Sequence, residues 1–340
     1  MTIARKHPPH PYKQRAVLAL KFIFISGLLY FLLKKGFISV EATRQALKEW
    51  QIILPAVGAL LFTTCLGVVR WKWLLNAQGI QIPFLRIMQL TFIGNFFNIA
   101  LPGAVSGDFV KVFYVGKEAK GQKTRALGSI LFDRVAGLSA LVLVSSGALI
   151  INYEAYANTP LLKAIQVLVE IAAASVVFFY GYLFLVRERH DPLLRLLRWL
   201  ESQISKASAL TRVYLSLRHY HTHRIAVLKV LSISVLIHLI VGWSCLQLAY
   251  ALGETQIALL SLYVILGMGL LITAIPIAPG GIGTGNVAFL YLFHLIGSER
   301  GADVYSLFAM VNLFIGSIGG LVYLRFRSHE SAPDLKLAEA

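Results

Sequence analysis

Long apolar runs separated by short polar stretches make up most of the chain. In windows of about 19 residues, the length suited to finding membrane helices, apolar runs fall at 16–33, 52–69, 126–151, 161–186, 225–252, 257–277 and 303–324. Each approaches the ~20 residues that cross a hydrocarbon core about 30 Å thick. Two more, 84–107 and 279–296, are interrupted by Pro and Gly. The pattern predicts an all-α, polytopic transmembrane bundle of about seven full spans, plus two broken segments that enter the bilayer and return. Basic residues before the first run imitate the start of a signal peptide. However, Lys21 lies inside 16–33, Lys34-Lys35 follow it, and no small-x-small cleavage site is present. An uncleaved first span is therefore expected.

Composition agrees and adds an orientation. Hydrophobic residues make up 57% of the chain and charged residues 14%, with a mean hydropathy of +0.70; a soluble domain carries about 25% charged residues. Lys and Arg outnumber acids 32 to 16, a formal charge of +16. In a soluble chain this excess would point to nucleic acid. Here the basic residues sit between apolar runs, where they hold loops in the cytoplasm and meet anionic headgroups. The expected partners are membrane lipids, anionic phospholipid above all, and no nucleic acid; self-association is left open. The segment 187–224 carries Arg187, Arg189, Arg195, Arg198, Lys206, Arg212, Arg218 and Arg224 against three acids, so it is expected on the cytoplasmic side. Within it, Asp191-Pro192 reads as an N-cap followed by proline in the first turn. Leu193, Leu196, Leu197, Leu200 and Ile204 then recur at helical spacing opposite Arg195 and Arg198, as in a helix lying on the inner leaflet.

Counting outward, 152–160 and 253–256 come out external and lack Lys and Arg, while 109–125 comes out internal with Lys111, Lys117, Lys120, Lys123 and Arg125. If 84–107 enters and returns on one side, the basic N-terminus (1–15) and the tail (326–340) are both cytoplasmic, flanking one membrane domain, 16–325. The tryptophans, Trp71 and Trp73 above all, fit interfacial belts.

The two broken segments match. One reads Leu101-Pro102-Gly103-Ala104-Val105-Ser106-Gly107-Asp108, the other Ala278-Pro279-Gly280-Gly281-Ile282-Gly283-Thr284-Gly285-Asn286, about half the chain apart. Paired Pro/Gly interruptions in corresponding halves are what an inverted repeat produces, and they point to a midplane site. Asp108 ends the first segment. A carboxylate facing lipid would cost about 2.5–3.5 kcal/mol, so it needs a partner or water; helix capping explains an Asp there equally well. Asp133-Arg134 stands inside the run 126–151. Neighbours on a helix point about 100° apart, so at least one of the two needs a partner elsewhere, and Asp108 with Arg134 is the economical pairing. The run Gly280–Gly285 follows no strand and no lysine comes after it, so it is no P-loop. Its bare amides, at a helix start, suit an anionic group. His219, His221 and His223 lie in a basic loop without Cys or carboxylate neighbours, and neither a metal site nor a cofactor is expected.

Asn98-Ile-Ala-Leu-Pro102, Gly107-Asp108-Phe-Val-Lys111, Asp133-Arg134 and Pro279-Gly280-Gly281-Ile-Gly283 form an ordered series. It resembles the membrane domain of the lysylphosphatidylglycerol synthase family, also called flippase-like domain proteins, over roughly 15–325. Against the family pattern, Ser106 replaces a Gly, Lys111 an Arg, Asp133 a Glu, and Asn286 a late Glu. The resemblance implies lipid handling at the bacterial inner membrane. A substrate-binding set would comprise Asn98, Pro102, Asp108, Lys111, Asp133, Arg134, Pro279, Gly280, Gly281, Gly283 and Asn286. The acyltransferase-like domain of the two-domain relatives is not expected after Arg327, so a lipid-translocating chain is favoured over an enzyme. A membrane transferase acting on a polyprenyl-phosphate lipid and an accessory subunit of envelope assembly are the alternatives.

Overall fold

A computed structural model describes residues 40–100, 106–119, 121–156, 160–204, 207–274, 281 and 283–330, with Tyr30 and Lys34. Apart from Tyr30, the first expected span lies outside the described residues, as do Pro102, Pro279 and Gly280. All regular structure among the described residues is helical. The α-helices of more than one turn are α1 (Val40–Lys48), α2 (Trp50–Ala77), α3 (Phe84–Ala100), α4 (Ser106–Glu118), α5 (Lys123–Ile151), α6 (Pro160–Leu185), α7 (Pro192–Gln203), α8 (Ser208–Arg218), α9 (Arg224–Ala251), α10 (Leu259–Ala274), α11 (Thr284–His294) and α12 (Gly301–Glu330).

Five of these, α2, α5, α6, α9 and α12, are long and apolar enough to cross a membrane, and they fall on five of the expected spans. Phe62, Phe178, Leu228 and Phe314 stand exposed on their outer faces, which in water would be a large unfavourable apolar surface and in lipid is none. This is a multi-pass helical bundle.

The run 257–277 is described from 257 to 274. Within it lies the 16-residue α10, about 24 Å long. It pairs with α11. A methyl at Gly269 would meet Phe289, and one at Gly281 would meet Thr273, so the two helices run antiparallel as a hairpin. The α3–α4 pair is built alike. Arg86 pairs with Glu118 near the open end, while a methyl at Gly107 would overlap the Gly94 carbonyl.

The open ends of the two hairpins lie at opposite ends of the bundle. Gln78, just past α2, donates to the Ser216 carbonyl of α8 at 2.7 Å, and Arg86 lies on the Phe326 ring. The open end of α3–α4 thus shares the end of the bundle that carries the Arg-rich segment. Asn152, after α5, donates to Ser261 Oγ at 3.3 Å, and Arg300 reaches Gln45 of α1 at 3.4 Å. The open end of α10–α11 therefore sits at the other end.

Two apolar cores follow. One, around Leu74, Phe132, Tyr220 and Val230, fills the Arg-rich end; the other, around Leu60, Cys245, Leu248 and Phe293, fills the far end. Each long helix passes through both, so the residues midway, such as 63–67 on α2 and 133–141 on α5, form a separate layer. There the hairpins converge.

The segment 187–224 is folded against the bundle. Asp191 Oδ1 caps α7 through the Leu194 amide at 2.9 Å, with Pro192 following in the first turn. Leu194, absent from the expected apolar face, is the buried residue of α7, while Leu193, Leu196, Trp199 and Ile204 stay exposed. Burial of Asp191 alone would raise its carboxyl pKa. The hydroxyls of Tyr182 and Tyr214, the Leu194 amide and the Arg218 charge outweigh that and hold it below the ordinary carboxylate value. The segment 208–218, expected as loop, forms α8 and packs on α5.

Candidate functional site

A cavity of about 500 Å³ occupies the middle layer. Its walls come from α2 (Thr63, Thr64, Gly67, Arg70, Trp71), α3 (Thr91, Asn95, Asn98, Ile99), α4 (Asp108, Lys111), α5 (Asp133, Arg134, Gly137, Leu138, Leu141), α9 (Ile237, His238) and α10 (Leu270, Thr273, Ala274). Both hairpins contribute the residues nearest their turns.

Helix geometry explains the charges. Asp133 and Arg134 diverge by about 100°, so each meets a different neighbour. Asp133 faces α2, where Arg70 grips it with two prongs, Nε to Oδ1 at 2.7 Å and Nη2 to Oδ2 at 2.9 Å. A third Arg70 donor, Nη1, reaches Ser234 Oγ at 3.1 Å. Arg134 faces the first hairpin and donates Nε to Asp108 Oδ2 at 2.8 Å. The Asp108 side chain is 6% exposed and that of Arg134 47%, so the carboxylate anchors and the guanidinium reaches out. Lys111, one turn beyond Asp108, places its ammonium 3.6 Å from Asp108 Oδ1 and 5.3 Å from the centre of the Trp71 ring. An ammonium over an indole is held by the ring quadrupole. Three basic side chains face two carboxylates, a formal excess of one positive charge before His238 is counted. His238 donates Nε2 to the Gly137 carbonyl at 3.0 Å, while its Nδ1 has no hydrogen-bond partner among the described residues.

A second cavity of about 300 Å³ shares Thr64, Asn95, Asn98, Ile99 and Thr273 with the first. Its remaining walls are largely apolar, with Tyr305, Phe308, Ala309, Leu313 and Ile315 of α12. Charged and apolar compartments therefore adjoin across a polar partition.

Of the residues singled out from sequence, Asn98, Asp108, Lys111, Asp133 and Arg134 converge on the central cavity. Asn98 also caps α4, its Oδ1 accepting from the Gly107 amide at 2.8 Å. Asp108 lies inside the first turn of α4, so capping falls to Asn98. Gly281, Gly283 and Asn286 take part in packing α11 against its neighbours. Gly281 has φ +71°, a conformation that side chains avoid, with Tyr305 and Thr273 closing on it. Asn286 accepts from the Gly283 amide at 3.1 Å and donates to Ser306 Oγ at 2.8 Å. It belongs to the α11–α12 contact rather than to the described cavity wall.

Arg70, Trp71 and His238 were not anticipated as site residues. Trp71 in particular is no belt residue: it is buried and donates Nε1 to Ser129 Oγ at 3.2 Å. Hydropathy ends that run at 69, although α2 continues to Ala77. The readable signal was the stripe Thr63, Thr64, Gly67, Arg70, Trp71, which repeats every three to four residues on one helix face.

Comparison with known proteins agrees with this architecture. The model of a family described as the lysylphosphatidylglycerol synthase TM region matches residues 18–320. A UPF0104 membrane protein of Pyrococcus horikoshii is 22% identical over 329 residues, covering 90% of this chain and 96% of its own length. A second UPF0104 membrane protein, from Methanothermobacter thermautotrophicus, is 25% identical over 319 residues and covers 86% of each chain. No solved structure matches.

Proposed function

The chain belongs to the family of the lysylphosphatidylglycerol synthase transmembrane region, and from that premise we propose that it binds an anionic, phosphate-bearing lipid in the central cavity and translocates it across the membrane. The observation that carries this reading is the pairing of compartments. Arg134, Lys111 and Arg70 border one, and the apolar face of α12 borders the adjoining one, as an amphipathic ligand requires. Guanidinium groups suit phosphate because their planar donors match its oxygens. Asp108 orients Arg134 and Lys111, and a bound phosphate competes for the same donors.

The opposed hairpins supply a route. In this reading both are re-entrant, so their turns are the thin partitions on either side of a midplane site, the arrangement that alternating access uses. The Arg-rich end faces the cytoplasm by the positive-inside rule. The chain then sits in a bacterial inner membrane with both termini on the cytoplasmic side.

The test is reconstitution into liposomes containing fluorescent phosphatidylglycerol or phosphatidylcholine, with a membrane-impermeant reductant reporting the outer leaflet. Translocation of the anionic probe above protein-free liposomes, lost in Arg134→Ala, is the expected result. Equal rates in wild type and Arg134→Ala would overturn the site. A covalently altered lipid in mass spectra would turn the reading toward a transferase.

A further inference from the structure

A second recess, of about 440 Å³, lies at the Arg-rich end between the end of α2, the start of α5 and the end of α8. Arg125, Arg212 and His219 border it together with Gln78, Thr124 and Ser216, and no carboxylate lines it among the described residues. In the central cavity every basic side chain faces a carboxylate. Here Arg125 and Arg212 have neither a hydrogen bond nor an ion pair to any described residue. Unneutralised charge converging on a concave wall is what an anion site offers.

The walls are built rather than incidental. Gln78 is buried and locked by its bonds to Ser216, Nε2 to the carbonyl at 2.7 Å and Oε1 from the hydroxyl at 3.3 Å. Gly79, at φ +75°, turns the chain so that its backbone passes beside the Arg125 guanidinium. Thr124 and Arg125 lie in the first turn of α5, where backbone amides point outward and favour an anion.

The recess is separate from the central cavity. Both lie along α2 and α5, with Gln78 eight residues beyond Arg70 and Arg125 eight before Asp133, which is about 12 Å of helix. Between them the rings of Phe132 and Tyr220 pack at a tilt of 32° with centres 4.1 Å apart, and the Tyr220 hydroxyl donates to the Leu74 carbonyl at 3.1 Å. All three residues are fully buried.

We propose that this recess is a second anion site that takes a phosphate group through Arg125 and Arg212, with the Thr124 hydroxyl as a further donor. The phosphate is either the headgroup of a lipid at that surface or a free ion, since both present the same oxygens. No residue of the central cavity lines this recess, so anion binding here is independent of translocation.

The experiment is calorimetric titration of the full chain with inorganic phosphate in phosphatidylcholine nanodiscs. In the Arg134→Ala background, which weakens the central cavity, phosphate is still expected to bind, and adding Arg125→Gln/Arg212→Gln should weaken that binding at least tenfold. Both arginines are exposed, so the double variant should keep the wild-type melting temperature, and Arg125→Lys/Arg212→Lys should recover part of the binding. Repeating the titration in phosphatidylglycerol nanodiscs separates the sources. A weaker apparent affinity there assigns the site to a lipid headgroup, and an unchanged one to free phosphate. Phosphate binding in the Arg134→Ala background that the added double glutamine change leaves intact would overturn the proposal, as would no phosphate binding in that background.

Discussion

Arg70 and Asp133 join α2 to α5 by a two-pronged bond at the level of the central cavity, 2.7 and 2.9 Å long. Their side chains are 14% and 18% exposed, so neither charge has much water to fall back on. The pair is at once a cavity wall and a clamp between two long helices.

Removing one partner should therefore hurt more than removing both. Asp133→Leu leaves a guanidinium unpaired in a poorly solvated layer, at a cost of about 3–5 kcal/mol. Arg70→Met with Asp133→Leu should regain most of that loss while still impairing lipid binding. Thermal unfolding in detergent measures the first effect and lipid retention the second. A double variant as unstable as the single would contradict the clamp.

Arg134 should separate function from stability. Its half-exposed side chain can be truncated without burying an unpaired charge, since Asp108 keeps Lys111 beside it. Arg134→Ala should melt within a few degrees of wild type yet bind anionic lipid about tenfold more weakly, or ~1.4 kcal/mol. Arg134→Lys, which keeps charge but not the planar fork, should fall between. Native mass spectrometry of retained lipid distinguishes the three.

The first hairpin depends on a close backbone approach. Gly107→Ala drives a methyl into the Gly94 carbonyl, a backbone atom that cannot swing aside, whereas a methyl at Gly58 meets nothing within 4 Å. Gly107→Ala should lower the melting temperature and abolish transport. Gly58→Ala should be neutral or mildly stabilising, by up to about 1 kcal/mol. Matched melting curves for the two variants decide it.

Asp191 should impose a pH signature. It accepts from both Tyr182 and Tyr214 hydroxyls at 2.6 Å and from Arg218 at 2.5 Å, and its carboxyl is held below the ordinary value. A depressed folded pKa contributes stability that is present above the unfolded value, about 3.9, and is lost as pH falls through the folded value. Asp191→Asn should thus melt lower than wild type at pH 7, with the gap closing below about pH 4. A gap that stays constant down to pH 3 would assign the loss to packing alone.

Hydrophobic run length determined that this is a helical membrane protein and located five of its long helices, because a span must bury its own backbone hydrogen bonds and be apolar for its whole length. Charge between the runs, and the Asp191-Pro192 start of α7, were equally readable, since both are local. So was the need of Asp133 and Arg134 for distant partners. What those partners are was decided only by the tertiary structure. Arg70 looks like a loop residue until α2 is seen to continue past its apolar stretch, and Trp71 looks like a belt residue until Lys111 and Ser129 are placed beside it. Likewise, the run 257–277 has the composition of a span, and only the packing shows that its described part lies antiparallel to α11. Residues far apart in sequence meet because helices antiparallel to one another align position i of one with a position on the next that loop lengths alone do not set. The glycines that permit the closest approaches fix that alignment.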